Sequence, residues 1–148
     1  MPKGQTCKMT LSDRLLLFTL RDDRYALDLK EVAEVMPPPV IFPVPWAPPC
    51  IRGAMNFHGS LVALLDLANF LTTGPLARDG NVLVLDRSIG NFALWVDRVD
   101  QIVSTDGVLE EDESMDPIVE KVLIMADGEV KKLAAGKLLE RVEEALKR

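Results

Sequence analysis

The side chains that could do acid, base or metal chemistry are few in this chain. The 148 residues contain one histidine, His58, and two cysteines, Cys7 and Cys50. A structural zinc ion takes four ligands, mostly from cysteine and histidine, so this set cannot supply a zinc site. No serine stands in a Gly-x-Ser-x-Gly setting, and no glycine-rich loop runs into Lys-Ser or Lys-Thr. We therefore expect no catalytic residue, no metal and no cofactor.

Two carboxylates, Asp66 and Asp97, remain as candidates for an acid and base pair. Asp66 follows an apolar strand pattern and precedes Leu67–Leu71, where a short carboxylate accepts hydrogen bonds from the free amides of a first helical turn. Asp97 follows another strand pattern directly, a position typical of a strand end or a turn. We predict structural roles for both, so a small-barrel enzyme is only a minor alternative.

The segment around His58 carries the clearest structural pattern, in residues 51–67, IRGAMNFHGSLVALLDL. Apolar residues alternate on either side of His58-Gly59-Ser60, which is the period-two signature of two strands joined by a turn. Gly53 and Gly59 are expected to serve backbone conformations that a side chain would obstruct. A lone histidine in such a turn is ordinarily an exposed residue without a specific role.

Short strands with little helix must position this hairpin. Further strands are predicted at Leu15–Leu20, Tyr25–Leu27, Val32–Met36, Asn81–Leu85, Phe92–Val96, Val99–Val103, Val119–Met125 and Glu129–Leu133. A single helical turn is predicted before the third of these, and the amphipathic pattern of residues 137–148 predicts a C-terminal helix. This arrangement indicates a mainly β fold made of small barrels.

Two segments depart from the strand pattern. Residues 37–49 hold seven of the ten prolines, which predicts an extended connector with at most edge pairing. We expect the apolar residues of this connector to bury: Val40, Ile41, Phe42, Val44 and Trp46. Trp46 and Trp95 are predicted to be core or groove anchors. The acidic run Glu110–Glu113, with Asp116, predicts a solvated loop.

Length and charge narrow the class of partner. The size predicts one domain at residues 13–148 after a flexible N-terminal tail at 1–12. The net charge is −6, the acidic excess lies in residues 76–148, and aromatic content is 5%, which argues against nucleic acid. The uncharged runs are proline-rich or shorter than the roughly 18 residues that span a bilayer. These features favour a reduced, cytoplasmic setting without membrane insertion.

Taken in order, these motifs resemble the CheW family of chemotaxis coupling proteins. The resemblance is carried by FTLRDDRYALDLKEVAEV, by VPWAPPCIRGAMNFHGSLVALLDL, by VLVLDRSIGNFALWVDRVDQIV and by the Asp127-Gly128 hairpin. It covers roughly residues 15–139. Each short motif is weak alone, and their joint order and spacing give the resemblance its specificity.

The resemblance implies both a fold and a role. The implied fold has two small five-stranded SH3-like β-barrel subdomains around a shared core, with short helices and a C-terminal helix. The implied role is that of a non-enzymatic adaptor, recruited to membrane receptor arrays. It would couple the regulatory domain of a CheA-type histidine kinase to the cytoplasmic hairpin of chemoreceptors. A divergent CheW-like scaffold in a parallel chemosensory-like pathway is the alternative.

The resemblance also implies which residues contact partners. The matching positions are Val32, Glu34, Gly53, Asn56, His58, Val99 and Ile102. Where the family usually has Asn-Leu-Arg-Gly, this chain has Asn56-Phe57-His58-Gly59. Arginine offers a permanent charge and a planar fork of donors, whereas histidine is mostly neutral at pH 7. Any contact that relies on that arginine is therefore expected to be weaker or pH-dependent here.

Overall fold

The computed structural model describes residues 14–71 and 79–147. The predicted tail at 1–12 lies outside these residues. Within them are eleven strands and two α-helices. The elements are β1 (Arg14–Leu20), β2 (Asp23–Asp28), β3 (Val32–Met36), β4 (Ile51–Phe57), β5 (Ser60–Asp66), α1 (Leu67–Leu71), β6 (Asn81–Leu85), β7 (Phe92–Val96), β8 (Arg98–Ser104), β9 (Val108–Asp112), β10 (Val119–Met125), β11 (Gly128–Leu133) and α2 (Ala135–Leu146). The predicted helical turn is a 3₁₀ turn at Leu29–Glu31.

The described strands form two sheets. The first sheet has the order β8-β1-β2-β11-β10-β9, and the second has the order β3-β6-β7-β5-β4. Neighbouring strands are antiparallel except for the parallel pairs β2 with β11 and β5 with β7. The prediction of a mainly β fold is confirmed. The first sheet has six strands where five were expected.

The additional strand is β9, in the segment that was predicted to be an acidic loop. Its residues pair antiparallel with β10, with Glu111 opposite Leu123. The side chains of residues 109–112 are exposed, and the Lys121 ammonium donates to Glu111 at 2.7 Å. The loop prediction was wrong for residues 110–112, because a solvated acidic run is also compatible with an edge strand, where charge opposes pairing with other chains. Glu113 and Asp116 lie in a loop.

Strands with two buried faces join the sheets around one core. In β1, Leu15 and Leu17 belong to a cluster of the first sheet alone. The alternate residues Leu16, Phe18 and Leu20 enter a core shared with the second sheet. In β6 and β7, alternate side chains likewise enter the shared core and a separate cluster of the second sheet. This double burial explains the unbroken apolar runs of these strands, and the shared core is present as predicted.

Helix α2 covers the shared core. Leu138, Leu139 and Val142 are buried in it, as the amphipathic pattern predicted. The helix begins two residues before the predicted start because Ala135 is itself buried in that core. Leu146, in its last turn, is 41% exposed.

Residues 37–49, called the strap below, run along the outer edge of β4. Phe42 and Ala54 form an isolated antiparallel bridge with two backbone hydrogen bonds of 2.8 Å. Ile41 packs against the cluster of the second sheet. The other apolar side chains expected to bury are exposed: Val40, Phe42, Val44 and Trp46. That expectation was wrong because neighbouring residues of an extended segment face opposite sides, and only one side of the strap meets β4.

Candidate functional site

The β4–β5 turn consists of His58 and Gly59. Their φ angles are +50° and +86°, and positive φ at both central residues is the requirement of a type I′ hairpin turn. The Asn56 carboxamide accepts a hydrogen bond from the Gly59 amide at 2.9 Å, which fixes the turn from its first side. The Asn-x-x-Gly motif is therefore a turn motif, and it holds His58 outward with 76% of the side chain exposed.

Gly53 lies beneath the strap, where no side chain fits. Its φ is +148°, and a Cβ atom there would lie 2.5 Å from the Phe42 carbonyl oxygen and 2.6 Å from Cγ2 of Ile41. The residue is buried. Gly53 therefore allows the strap to approach β4 closely, and the structure gives it a positioning role in the hairpin.

A buried ion pair braces the other end of the hairpin. Asp66 is fully buried, and its Oδ2 accepts hydrogen bonds from Nε and Nη2 of Arg52, both at 2.9 Å. Its Oδ1 accepts from the Asn69 amide at 2.9 Å, which is the predicted helix cap. The Arg52 guanidinium also stacks on Trp95, 3.9 Å from the ring centroid. This pair ties β4 to the start of α1 and to β7.

Sequence reasoning missed Arg52. The only signal was an arginine inside the Ile-x-Gly motif, fourteen positions before the capping carboxylate. Trp95 is buried in the second sheet, as an anchor should be, whereas Trp46 is fully exposed. Trp46 is therefore not a core residue, and that part of its prediction is wrong.

Glu34 and His58 meet although their strands are far apart in the second sheet. Nε2 of His58 lies 3.7 Å from Oε1 of Glu34, while β3 and β4 stand at opposite ends of the strand order. The second sheet must therefore curl strongly. Phe57 packs edge-on against the imidazole, with ring centroids 4.3 Å apart. Glu34, Asn56, Phe57 and His58 are called the hairpin patch below.

The remaining predicted contact residues lie outside this patch. Val32 begins β3 and is half-buried against the shared core. Val99 and Ile102 lie on β8, an edge of the first sheet, where they pair with Phe18 and Leu16. Val99 is half-buried and Ile102 is 49% exposed. The predicted positions thus form two surfaces, one on each sheet.

The candidate acid and base pair is already engaged in structural contacts. Asp66 is bound to Arg52 and to the helix start, as described above. Asp97 lies at the corner between β7 and β8, and its Oδ2 accepts a hydrogen bond from the Arg21 amide at 2.6 Å. Burial raises the pKa of the Cys50 thiol, which favours its uncharged, less nucleophilic form.

The described residues hold neither a cluster of metal ligands nor a membrane-spanning helix. Residues 14–71 and 79–147 contain no group of three or more His, Cys, Asp or Glu side chains that could hold a metal ion. In those ranges, no helix has the length and apolar character needed to cross a bilayer.

A pocket of about 150 Å³ opens beside the hairpin patch. Phe57, Val62, Val84 and Phe92 contribute apolar walls, and His58 is also part of its lining. Sequence patterns gave no signal for this pocket, because its walls come from four strands that the fold brings together.

The fold defines a two-sheet β module with an exposed hairpin that is braced from within. The chain belongs to the CheW-like domain family, which it matches over residues 14–141. This confirms the family resemblance of the sequence motifs.

Two known proteins are similar to this chain, one in sequence and one in fold. The chain is 26% identical over 97 residues to the chemotaxis protein CheW of Klebsiella aerogenes, a match covering 64% of this chain and 58% of that protein. The chain thus matches a little over half the length of this relative. Its fold is similar to that of the scaffolding protein TtCheW from Thermoanaerobacter tengcongensis, with a TM-score of 0.70 and 20% identity over 83% of this chain and 89% of the other.

Proposed function

We propose that this protein is a non-enzymatic adaptor that couples a CheA-type histidine kinase to the cytoplasmic hairpins of chemoreceptors. Membership of the CheW-like domain family supports an adaptor role in chemotaxis. The observation that carries the proposal is the hairpin patch, because positions that the family resemblance assigns to partner contact, Glu34, Asn56 and His58, lie together and exposed. The adaptor would be recruited to receptor arrays through these contacts.

The hairpin patch has the physical properties of a docking surface. A protein interface needs a rigid surface with apolar groups surrounded by polar ones. Here the Phe57 ring packs against the His58 imidazole, and the Asn56 side chain is bound to the same turn. The turn is held by its own hydrogen bond, and the far end of the hairpin is held by the Arg52–Asp66 pair. Little order would be lost on binding, which favours affinity.

An adaptor must hold two partners at once, and the predicted contact positions offer two surfaces. One is the hairpin patch on the second sheet. The other is the edge strand β8 of the first sheet, with Val99 and the half-exposed Ile102. We propose that the two surfaces serve different partners, so that kinase and receptor are held in one assembly and a change in one shifts the state of the other.

Binding of purified partners tests the role of the hairpin patch. Titration calorimetry of the chain with a kinase regulatory domain and, separately, with a receptor hairpin should show binding to both. Glu34→Lys should weaken binding to at least one partner roughly tenfold or more, because it reverses a charge within the contact. Glu140→Lys is the matched control, since Glu140 is exposed on α2 and should leave both affinities unchanged.

Replacing His58 by arginine examines the departure from the family motif. His58→Arg restores a permanent charge and a planar donor fork at the tip of the turn. We expect the affinity for at least one partner to change, because histidine lacks both of these features. Unchanged affinity for both partners would remove His58 from the interface.

The natural histidine at position 58 favours a second candidate function, that of a divergent CheW-like scaffold in a parallel chemosensory-like pathway. The specific observation is that His58, an exposed residue of the turn, stands where the family usually has arginine. Such a scaffold would prefer the kinase of its own pathway over a kinase that pairs with Asn-Leu-Arg-Gly adaptors. Competition between the two kinase regulatory domains for the chain decides between the candidates.

A further inference from the structure

The pocket beside the hairpin patch has the size of one large apolar side chain. Its volume is about 150 Å³ and it is partly open to solvent. An engineered apolar cavity of about 150 Å³ in another protein binds benzene. The walls formed by Phe57, Val62, Val84 and Phe92 therefore suit a phenylalanine or leucine side chain, whose burial there would remove apolar surface from water.

The described polar side chains of this pocket include one permanent cation, Arg87, and no carboxylate. Arg87, His58 and Asn91 line it, and no Asp or Glu is among its described lining residues. Glu34 contacts His58 at 3.7 Å. The neighbouring carboxylate of Asp86 accepts hydrogen bonds from the amide and hydroxyl of Ser88, at 3.0 and 2.5 Å. Arg87 thus supplies the one fully charged group of the described lining, on a chain whose net charge is −6.

We propose that this pocket takes a large apolar side chain of a partner protein, with a carboxylate beside that side chain pairing with Arg87. The pocket is continuous with the hairpin patch, because Phe57 and His58 belong to both. The proposal rests on the adaptor function, since the occupant belongs to a partner bound at that patch. The apolar walls hold the anchor side chain of the partner, and the Arg87 guanidinium favours anchors next to an acidic residue.

Small peptides test the pocket without either partner. The probes are N-acetyl-Phe-Glu-amide and N-acetyl-Phe-Lys-amide, titrated into the full chain while backbone amide signals are followed by NMR. The amides of Ser60, Gly90 and Asn91 should shift, and the Glu peptide should bind roughly two- to fivefold more tightly. Arg87→Gln should remove this preference, whereas the control Arg141→Gln, on the exposed side of α2, should preserve it. Equal binding of the two peptides by the wild type, or no shift at these amides, overturns the proposal.

Filling the pocket tests its role in partner binding. Ser60 is exposed and lines the pocket, whereas its neighbour Leu61 is 70% exposed and outside the lining. Ser60→Phe should weaken the partner bound at the hairpin patch by about tenfold or more, and Leu61→Phe should not. If the wild type binds neither the kinase domain nor the receptor hairpin, the proposed adaptor function is wrong. The peptide titration then still tests whether the pocket binds an apolar side chain. If a partner binds wild type and Ser60→Phe equally, the pocket proposal fails alone.

A second copy of the chain is the competing occupant. Sedimentation of wild type and Ser60→Phe at matched concentrations separates the two occupants. We expect both to sediment alike. Self-association that the substitution abolishes would assign the pocket to another copy of this chain and overturn the proposal.

Discussion

The two sheets use charge in different ways. Six of the eight ion pairs in the described residues lie on the first sheet, among them Arg24 with Asp127 and Lys121 with Glu111. Five of these pairs join different strands or a strand and a turn, and the pair of Arg98 and Asp100 lies within β8. Most are exposed to water, which screens them, whereas Lys132 and Asp28 are each only 17% exposed. The second sheet buries its pair of Arg52 and Asp66, and it presents the uncharged strap outward.

This difference shows where partners are expected to bind. On the first sheet, acidic residues of β9 and β10 pair with lysines of β10 and β11, and the proposed partner surface is confined to the edge strand β8. The second sheet exposes apolar groups on a backbone held from within, in the strap, the hairpin patch and the adjoining pocket. Exposed apolar surface rimmed by polar groups marks an interaction site. We infer that buried charge stabilises the second sheet and leaves its surface available for binding.

Among the variants that test this difference between the sheets, removal of the Arg52 side chain should lower stability the most. Arg52→Met leaves the fully buried Asp66 carboxylate without its charged partner, and we expect the free energy of unfolding to fall by about 3–5 kcal/mol. Urea denaturation measures this change. Lys121→Met is the matched control on the first sheet, and it should change stability little because its pair with Glu111 is exposed. Similar losses in the two variants would contradict the distinction between the sheets.

The next largest loss of stability is expected when a methyl group is added at Gly53. Gly53→Ala places a Cβ atom within 2.6 Å of the strap and requires a φ that alanine rarely adopts, so we expect a loss of about 2 kcal/mol. The contrasting variant is Gly136→Ala in α2, where the added methyl meets open space. Because alanine favours the helix, that change should stabilise the protein by about 0.5 kcal/mol. Thermal unfolding of both variants checks the prediction, which a stable Gly53→Ala protein would refute.

The smallest expected effect is an alkaline loss of stability in the first sheet. Burial raises the pKa of Tyr25, and the charge of Asp23 adds to this effect. Burial alone lowers the pKa of Lys132, but Asp28 and Glu120 reverse this and raise the pKa above its ordinary value. Both groups therefore hold their protons more tightly in the folded chain than in the unfolded one.

The sign of the pH dependence follows from these directions. The stability from both groups is complete below their ordinary pKa values, 10.0 for tyrosine and 10.5 for lysine, and is lost as pH rises through the folded-state values. The urea midpoint should therefore fall above about pH 10. Tyr25→Phe, which cannot titrate, should make the fall shallower. An unchanged slope in that variant would show that Tyr25 does not contribute.

Local patterns in the sequence predicted the local elements. The β4–β5 and β10–β11 hairpins, the Asp66 cap and the buried face of α2 follow from alternation, turn chemistry and helical periodicity. These features depend on residues close together in the chain, so the pattern alone contains the information.

Features that depend on distant residues could not be read in this way. The contact of Glu34 with His58 requires the second sheet to curl, and the Arg52–Asp66 pair requires the register of β4 on β5. The strap was expected to bury because its residues are apolar, and nothing local indicates that only one of its sides meets the sheet. The seven proposed contact positions came from the family resemblance, and the structure adds which of them lie together.

The central claim is that this chain couples a kinase to receptors, and reconstitution tests it directly. Autophosphorylation of a CheA-type kinase would be measured with receptor-containing vesicles, with and without the chain, and with Glu34→Lys and Glu140→Lys in its place. We predict that kinase activity responds to the receptor ligand only when wild type or Glu140→Lys is present. An equal response without the chain, or no response with it, would contradict the adaptor function.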